Sequence, residues 1–351
     1  MRNKLLLMSC PRKQSQSISK ISSDWVWSDY WGQVKCRISG LRMRYTVKPG
    51  LYALGGPGQD SDVFASANYK LSLDILRREL KGLNVWILVL DTNGINVWCA
   101  AGKGTFGTAE LVKRIQEARL HEIVSHKRII LPQLSAPGVN VKKVHNMTGF
   151  KVHFGPVYAK DIPTYLNAGY RKTSEMRCVK FPFLDRLILT PMEIIPAMKK
   201  YPLFALPVLV LFGLEPSGII FSKAWSGGVP FLFFGLISVL SGALITPVML
   251  PFVPFRSFAI KGWITGLLSL IVVSHFVTPS FVHAWTLYAA VYLFFPAASS
   301  FIALQFTGST TFTGMSGVKK ELRMAVPFYI GSALVSVLLL CLFKFHEWRI
   351  I

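Results

Sequence analysis

The sequence predicts two structural classes in one chain: an α/β domain followed by an all-α membrane domain of five transmembrane helices. Three observations carry this expectation. Residues 1–200 hold 31 Lys/Arg against 14 Asp/Glu, whereas residues 201–351 hold 8 against 3. The second part repeatedly supplies the roughly 20 apolar residues that a helical span needs. The first part alternates short apolar runs with helical periodicity, the pattern of an open sheet covered by helices. A single soluble domain is excluded by the split. Disorder over most of the chain is excluded by a hydrophobic content of 52% with 25 Phe. The expected division is a basic, partly disordered leader over 1–45, a cytoplasmic α/β domain over 46–197 and a transmembrane domain over 198–351.

The leader opens MRNKLLLMSC, which looks like the start of a lipoprotein signal, but its apolar run at 5–8 is too short for a signal's hydrophobic segment. Its Lys and Arg suit an anionic membrane surface. Residues 51–54 read as a strand ending in Gly55-Gly56-Pro57-Gly58. A helix is expected over 69–80, with Leu71, Leu73, Ile75, Leu76 and Leu80 apolar. VWILVLD, 85–91, is a continuous apolar run and reads as a central parallel strand buried on both faces. Thr108 is placed to cap a helix over 109–120 that aligns Leu111, Ile115 and Ala118. RIIL, 128–131, reads as a second buried strand, and 151–154 and 180–183 as edge strands. Ligands in such sheets sit beyond the carboxyl ends of the strands, which directs attention to the segment after Asp91.

The membrane spans are expected over 198–214, 229–250, 258–277, 281–305 and 322–343. The first is short and holds Pro202 and Pro207, which spans tolerate where neighbours satisfy the freed carbonyls. If the spans alternate, Lys199, Lys200, Arg256, Lys261, Lys319, Lys320 and Arg323 fall on one side and Lys223, Lys344 and Arg349 on the other. The heavier side is cytoplasmic by the positive-inside rule, and the α/β domain lies on that side too. A transporter would carry ionisable groups inside its spans; His275, His283 and Lys261 lie near span ends and read as interfacial. Residues 307–320, rich in Gly, Ser and Thr, read as a cytoplasmic connector.

Two nucleotide motifs fail in the segment after Asp91. Gly102, Gly104 and Gly107 satisfy G-x-G-x-x-G but start eleven residues after the strand, whereas a dinucleotide fingerprint follows it at once. A phosphate loop fails because Val97 replaces its first Gly and Gly104 its Ser/Thr. What remains is a short helix over 96–101, ended by Gly102 in a left-handed conformation, that presents Trp98 and Cys99 beside Ala100 and Ala101. A lone Cys among apolar residues is most often an inert buried thiol; its place on a ligand-facing rim favours a ligand. The five Cys, at 10, 36, 99, 178 and 341, show no C-x-x-C, zinc or cluster spacing. Electrons for any redox step must therefore come from a partner. Cys36, Cys178 and Cys341 read as incidental thiols, and His121, His126, His145 and His153 have no metal spacing.

NVWCAAGK, residues 96–103, resembles the cap-helix signature of the mercury-methylating corrinoid protein family of anaerobic microbes. ANYKLS (67–72), VLDTNGINVWCAAGKGTFGT (89–108), ILPQLSAPGV (130–139), GFKVHFGPVYAKDIP (149–163) and MRCVKFPFLDRLILTPME (176–193) resemble the corrinoid domain shared with the corrinoid iron–sulfur protein of the acetyl-CoA pathway. The resemblance covers 47–200, with five spans behind it, and leaves the leader outside. The acetyl-CoA relative is soluble and usually carries Thr at the position of Cys99, so Cys together with a membrane tail is a specific combination.

The resemblance implies a Rossmann-like corrinoid-binding domain with a cap helix, holding a cobalamin-type corrinoid that is methylated during turnover. Asn96, Val97, Trp98, Cys99, Ala100, Ala101, Gly102 and Lys103 would wall the corrin's lower face, with the Cys99 thiolate as catalytic residue and lower axial ligand of cobalt. It implies methyl transfer to Hg(II), forming methylmercury. It also implies a ferredoxin-like iron–sulfur protein as electron donor, a folate-type methyl donor acting through a methyltransferase, and residence in the cytoplasmic (inner) membrane in contact with lipid. No nucleic-acid partner is expected. The basic front domain suits an acidic protein partner and anionic lipid alike. Two other readings stand beside this one: a corrinoid methyl carrier for another acceptor in one-carbon metabolism, and a membrane transporter or scaffold with a regulatory soluble domain.

Overall fold

The apolar run VWILVL becomes β4 (Val85–Leu90), and all six of its residues are buried. In this computed structural model, which describes residues 18–276, 284–310 and 315–350, β4 belongs to a six-stranded sheet with β1 (Ser19–Ile21), β2 (Gly50–Leu54), β3 (Val63–Ala67), β5 (Arg128–Leu131) and β6 (Lys151–Phe154). The order is β1-β2-β4-β3-β5-β6. β2 runs antiparallel to β4, with Tyr52 opposite Ile87, and all other neighbours are parallel. The sheet is therefore mixed, and β4 has a parallel neighbour on the β3 side alone.

Alternation along β4 sends its residues to two cores. Trp86, Leu88 and Leu90 pack with Leu111, Val112, Ile115 and Val144, from α4 (Thr108–Glu117) and α6 (Val141–Thr148). Val85, Ile87 and Val89 pack with Leu73, Leu76, Ile162 and Tyr165, from α2 (Lys70–Glu79) and α7 (Ile162–Asn167). Helices thus cover both faces. The short α3 (Val97–Lys103) follows β4, and α5 (Leu120–Ile123) follows α4.

Three expectations change here. Residues 18–45, expected as part of a partly disordered leader, carry β1 and α1 (Trp27–Ile38), which are folded onto the sheet unit; residues 1–17 lie outside the described residues. Residues 180–183 form no strand, because Pro182 starts α8 (Phe183–Leu189) instead. Thr108 is the first residue of α4 rather than its cap. Gly107 caps the helix, and the Thr108 hydroxyl accepts the Asn140 amide at 2.8 Å.

The chain divides into two compact units, Met1–Cys36 with Gly40–Val179, and Arg37–Ser39 with Lys180–Ile351. The second is helical: α8, α9 (Pro191–Gly213), α10 (Phe221–Leu240), α11 (Thr246–Met249), α12 (Phe258–Phe276), α13 (Trp285–Gln305) and α14 (Met315–Glu347), with a small hairpin of β7 (Leu214–Glu215) and β8 (Gly218–Ile219). Among the described residues, five stretches are long and apolar enough to cross a membrane: Phe183–Gly213, Phe221–Met249, Phe258–Phe276, Trp285–Gly308 and Ser316–Glu347. The first reaches well upstream of the expected span and contains Pro196, Pro202 and Pro207. The last begins early enough to hold Lys319 and Lys320, so the C-terminal part of the expected 307–320 connector is helix. Small residues bring α12 and α13 together: a Cβ on Gly262 would lie 2.8 Å from Ser300 Cα, and one on Gly266 2.6 Å from Ser299 Cβ. His283 lies outside the described residues.

Candidate functional site

β3, β4, β5 and β6 run in one direction, so their carboxyl ends share one edge of the sheet. The loop after β4 is built on Asn68, buried just beyond β3. Its Oδ1 accepts the amides of Thr92 at 3.0 Å and Gly94 at 2.9 Å, and its Nδ2 donates to Asp91 Oδ1 at 3.1 Å. The Thr92 hydroxyl lies 2.7 Å from the Ile95 carbonyl and closes the turn. Glu110, from α4, accepts the Asp91 amide at 2.8 Å. This turn delivers the chain to Asn96, whose Oδ1 accepts the Cys99 amide at 2.9 Å and caps α3.

The cap helix differs in detail from expectation. It runs through Lys103, and Gly104, with φ of 81°, ends it where Gly102 was expected to. Ala100 and Ala101 are buried and turn into the core. A side chain on Gly138 would press on Phe106 and lie 3.2 Å from Ala101 Cα, so glycine there lets the 3-10 helix Gln133–Gly138 approach α3 closely. The small pair thus serves packing of the cap helix. Trp98, Gly102 and Lys103 are exposed, and Asn96, Val97 and Cys99 are half-buried.

A cavity of about 360 Å³ opens under the start of α3, lined by Ser66, Asn96, Val97, Trp98, Pro132 and Tyr158 among others. Cys99 is not part of its wall and is half-buried. Of the other thiols, Cys36 is buried, Cys178 exposed and Cys341 half-buried. His126 Nε2 lies 2.9 Å from the Ser61 carbonyl. His153 titrates below the ordinary histidine range, because burial and then the charges of Arg128 and Lys151 disfavour its cation. Among the described residues, no three His, Cys, Asp or Glu side chains come together to hold a metal ion. A lone soft donor would suit a cofactor whose metal arrives with most of its own ligands.

The sequence reading gave Asn68 no role. A polar residue after a short strand carries no periodic signal, and the strand before it, VFASA, was itself unread.

Residues 41–166 match the family described as CO dehydrogenase/acetyl-CoA synthase delta subunit. The acetyl-CoA decarbonylase/synthase complex subunit gamma of Archaeoglobus fulgidus is 31% identical over 126 residues, covering 35% of this chain and 26% of that protein. The same subunit of Methanopyrus kandleri is 30% identical over 146 residues, covering 40% and 31%. The corrinoid/iron-sulfur protein large subunit of Moorella thermoacetica is 27% identical over 124 residues, covering 35% and 27%. The chain thus spans between about a quarter and a third of the length of these relatives, and the family match takes in β2 to β6, Asn68 and the cap helix but not β1.

Proposed function

We propose that this chain is a corrinoid-dependent methyltransferase, anchored in the cytoplasmic membrane by its five apolar helices, that passes a methyl group to Hg(II) and releases methylmercury. The observation that carries the reading is Cys99: an accessible thiol on a capped helix at the carboxyl edge of the sheet, with no competing metal-binding cluster among the described residues. The relatives' names support a corrinoid role in one-carbon chemistry. The Hg(II) acceptor is supported by the pairing of Cys99 with a membrane tail.

A corrinoid, when bound, supplies a cobalt-held methyl group that an electrophile can take up. Cys99 Sγ would hold the metal of a bound corrinoid, and a thiolate, as a strong donor, would suit transfer to a soft electrophile such as Hg(II). Asn96 fixes the Cys99 backbone through its amide, and Asn68 fixes the turn before it. Trp98, Gly102 and Lys103 offer the adjoining surface. An iron–sulfur protein is the proposed electron source and a folate-type methyl group, delivered by a separate methyltransferase, the proposed methyl source.

Two substitutions test the reading. Cys99→Ala and Cys99→Thr should both fold, since Cys99 is only half-buried and the buried Ala100 and Ala101 of α3 are untouched. Both should lose the absorbance signature of a cobalt–sulfur bond. Mercury methylation should fall by more than the roughly tenfold that disturbing a supporting residue costs. Near wild-type methylation by Cys99→Thr would show that volume, not thiolate donation, is what the position supplies. A second reading, a methyl carrier for another acceptor, is favoured by the acetyl-CoA decarbonylase/synthase names of the relatives. Cells with and without the gene separate the two by whether they methylate mercury.

A further inference from the structure

We infer that a groove between α12 and α14 binds one anionic phospholipid, its phosphate held by Arg256 and Lys320 and its upper acyl chain laid against Trp263 and Phe328. The inference rests on the membrane reading of the five apolar helices and is independent of the methyl-transfer reading. The groove holds about 640 Å³, a volume typical of ligand sites, and lies wholly within the helical unit.

Polarity changes along its length. Arg256, Ser257, Lys320 and Glu321 line one end, and Trp263, Met324 and Phe328 the other. On α14 the lining residues Gly317, Lys320, Met324 and Phe328 recur at helical spacing, so one face of that helix forms the wall. Lys320 and Phe328 stand about 12 Å apart along the axis at a rise of about 1.5 Å per residue. Met324 and Phe328 are 70% and 50% exposed, so the apolar end is open at its side. The floor is closed and pinned. Ser300 of α13, buried, donates to the Ala259 carbonyl at 2.6 Å and lies 2.7 Å from the Tyr329 hydroxyl, which ties the three helices together.

Charge at the polar end selects the occupant. Glu321, the carboxylate lining that end, is already engaged: its Oε2 accepts the Ser257 hydroxyl at 3.0 Å and the Ala259 amide at 3.1 Å. Arg256 and Lys320 are exposed and meet no carboxylate among the described residues. Two cations beside one committed carboxylate leave this end positive, and a phosphodiester is the acceptor that suits them. Basic pockets between membrane helices take acidic headgroups in this way. A free anion would fill only the polar end and leave the apolar wall bare. A zwitterionic lipid would bring an ammonium against two cations.

The test uses the full-length protein in phosphatidylcholine nanodiscs. These carry a minor fraction of brominated phosphatidylglycerol, or the same fraction of brominated phosphatidylcholine, with bromine on the acyl chains. The emission removed by Trp263→Phe isolates the indole in the groove. Two cations at a headgroup favour the anionic lipid by about tenfold or more, so it should quench Trp263 at least about twofold more strongly than brominated phosphatidylcholine does. Arg256→Gln/Lys320→Gln should abolish that preference and leave far-ultraviolet dichroism unchanged, since both side chains are exposed. Lys319→Gln/Arg323→Gln, which removes the same charge outside the groove, should keep it. Equal loss in the two double variants, the mark of diffuse surface attraction, would overturn the inference. So would equal quenching by the two lipids, or an indole shielded from both, the sign of a protein occupant or second copy. Displacement of the brominated phosphatidylglycerol by millimolar glycerol phosphate would also overturn it, by making the occupant a soluble anion. A chain that never enters discs would remove the membrane reading itself, which every other failure leaves standing.

Discussion

Asn68 sets the geometry of the turn that leads into the cap helix. Its one carbonyl oxygen serves two loop amides, Thr92 and Gly94, in a buried position. A buried donor left unmatched costs about 1–3 kcal/mol. Asn68→Ala should therefore destabilise the α/β unit by about 2–4 kcal/mol and speed hydrogen exchange of the amides from 92 to 99. Asn68→Asp keeps the acceptor but places a second carboxylate against Asp91, so it should not restore the loop. A stability change within about 0.5 kcal/mol, the range of ordinary surface substitutions, would show that water or the Thr92 hydroxyl replaces the amide. At this scale the sequence was legible where a residue's chemistry is local. A short helix does follow β4 and a Gly does end it, although Asn96, expected as its first residue, is its cap. It was not legible where tertiary packing decides: Gly104, not Gly102, turns left-handed, and Ala100 and Ala101 face the core because Gly138 leaves room for them.

Among the elements, α1 is the one most exposed to pH. Burial acts to raise the Asp29 carboxyl. The hydrogen bonds from Lys70, the Val26 amide and Arg77 outweigh burial and hold it below the ordinary carboxylate range. A carboxyl depressed in the folded state contributes stability above its unfolded value, near about 3.9, and that contribution is lost as pH falls through the folded value. Acid should thus release α1 and β1 below about pH 4, read as exchange or proteolysis confined to residues 19–38 while the central strands stay protected. Asp29→Asn should bring that release to neutral pH, at a cost of about 2–3 kcal/mol, less than for an isolated buried pair because Asp74 still meets both cations. Release of β4 together with α1 would show that the clamp is part of the main cooperative unit. The elements that the sequence announced are those with long apolar runs or clear helical periodicity. β3, five buried residues of modest size, and β1, three residues recruited by pairing with β2, lack such a signal. Neither could be read without knowing which strand lies beside them.

At the scale of the whole chain the open variable is which side of the bilayer each end of the helical unit faces. One end gathers Lys223 and Lys344 around Glu215 and Glu347, with Lys223 at 2.7 Å and Lys344 at 3.5 Å from Glu215 and Lys344 at 2.6 Å from Glu347. Trp348 extends this end, its Nε1 donating to the Leu214 carbonyl at 3.2 Å. The loop before α12 and the start of α14 carry Arg256, Lys319, Lys320 and Arg323, none in an ion pair among the described residues; Glu321 is turned to Ser257 Oγ at 3.0 Å and the Ala259 amide at 3.1 Å. Positive-inside orientation counts Lys and Arg near span ends, and these four, with Lys199 and Lys200 in α9, outnumber the cations of the other end. On the proposed membrane reading, the cytoplasmic side would be that of Arg256, and the turn between β7 and β8 would face outward. Ser217→Cys, exposed in that turn, should react with a membrane-impermeant maleimide in intact cells, and Phe255→Cys, exposed beside Arg256, only after lysis. The reverse labelling pattern would invert the bundle. Because the α/β unit precedes the first span, it would also place Cys99 outside the cell, away from any cytoplasmic source of electrons or methyl groups, and the proposed chemistry would have no supply.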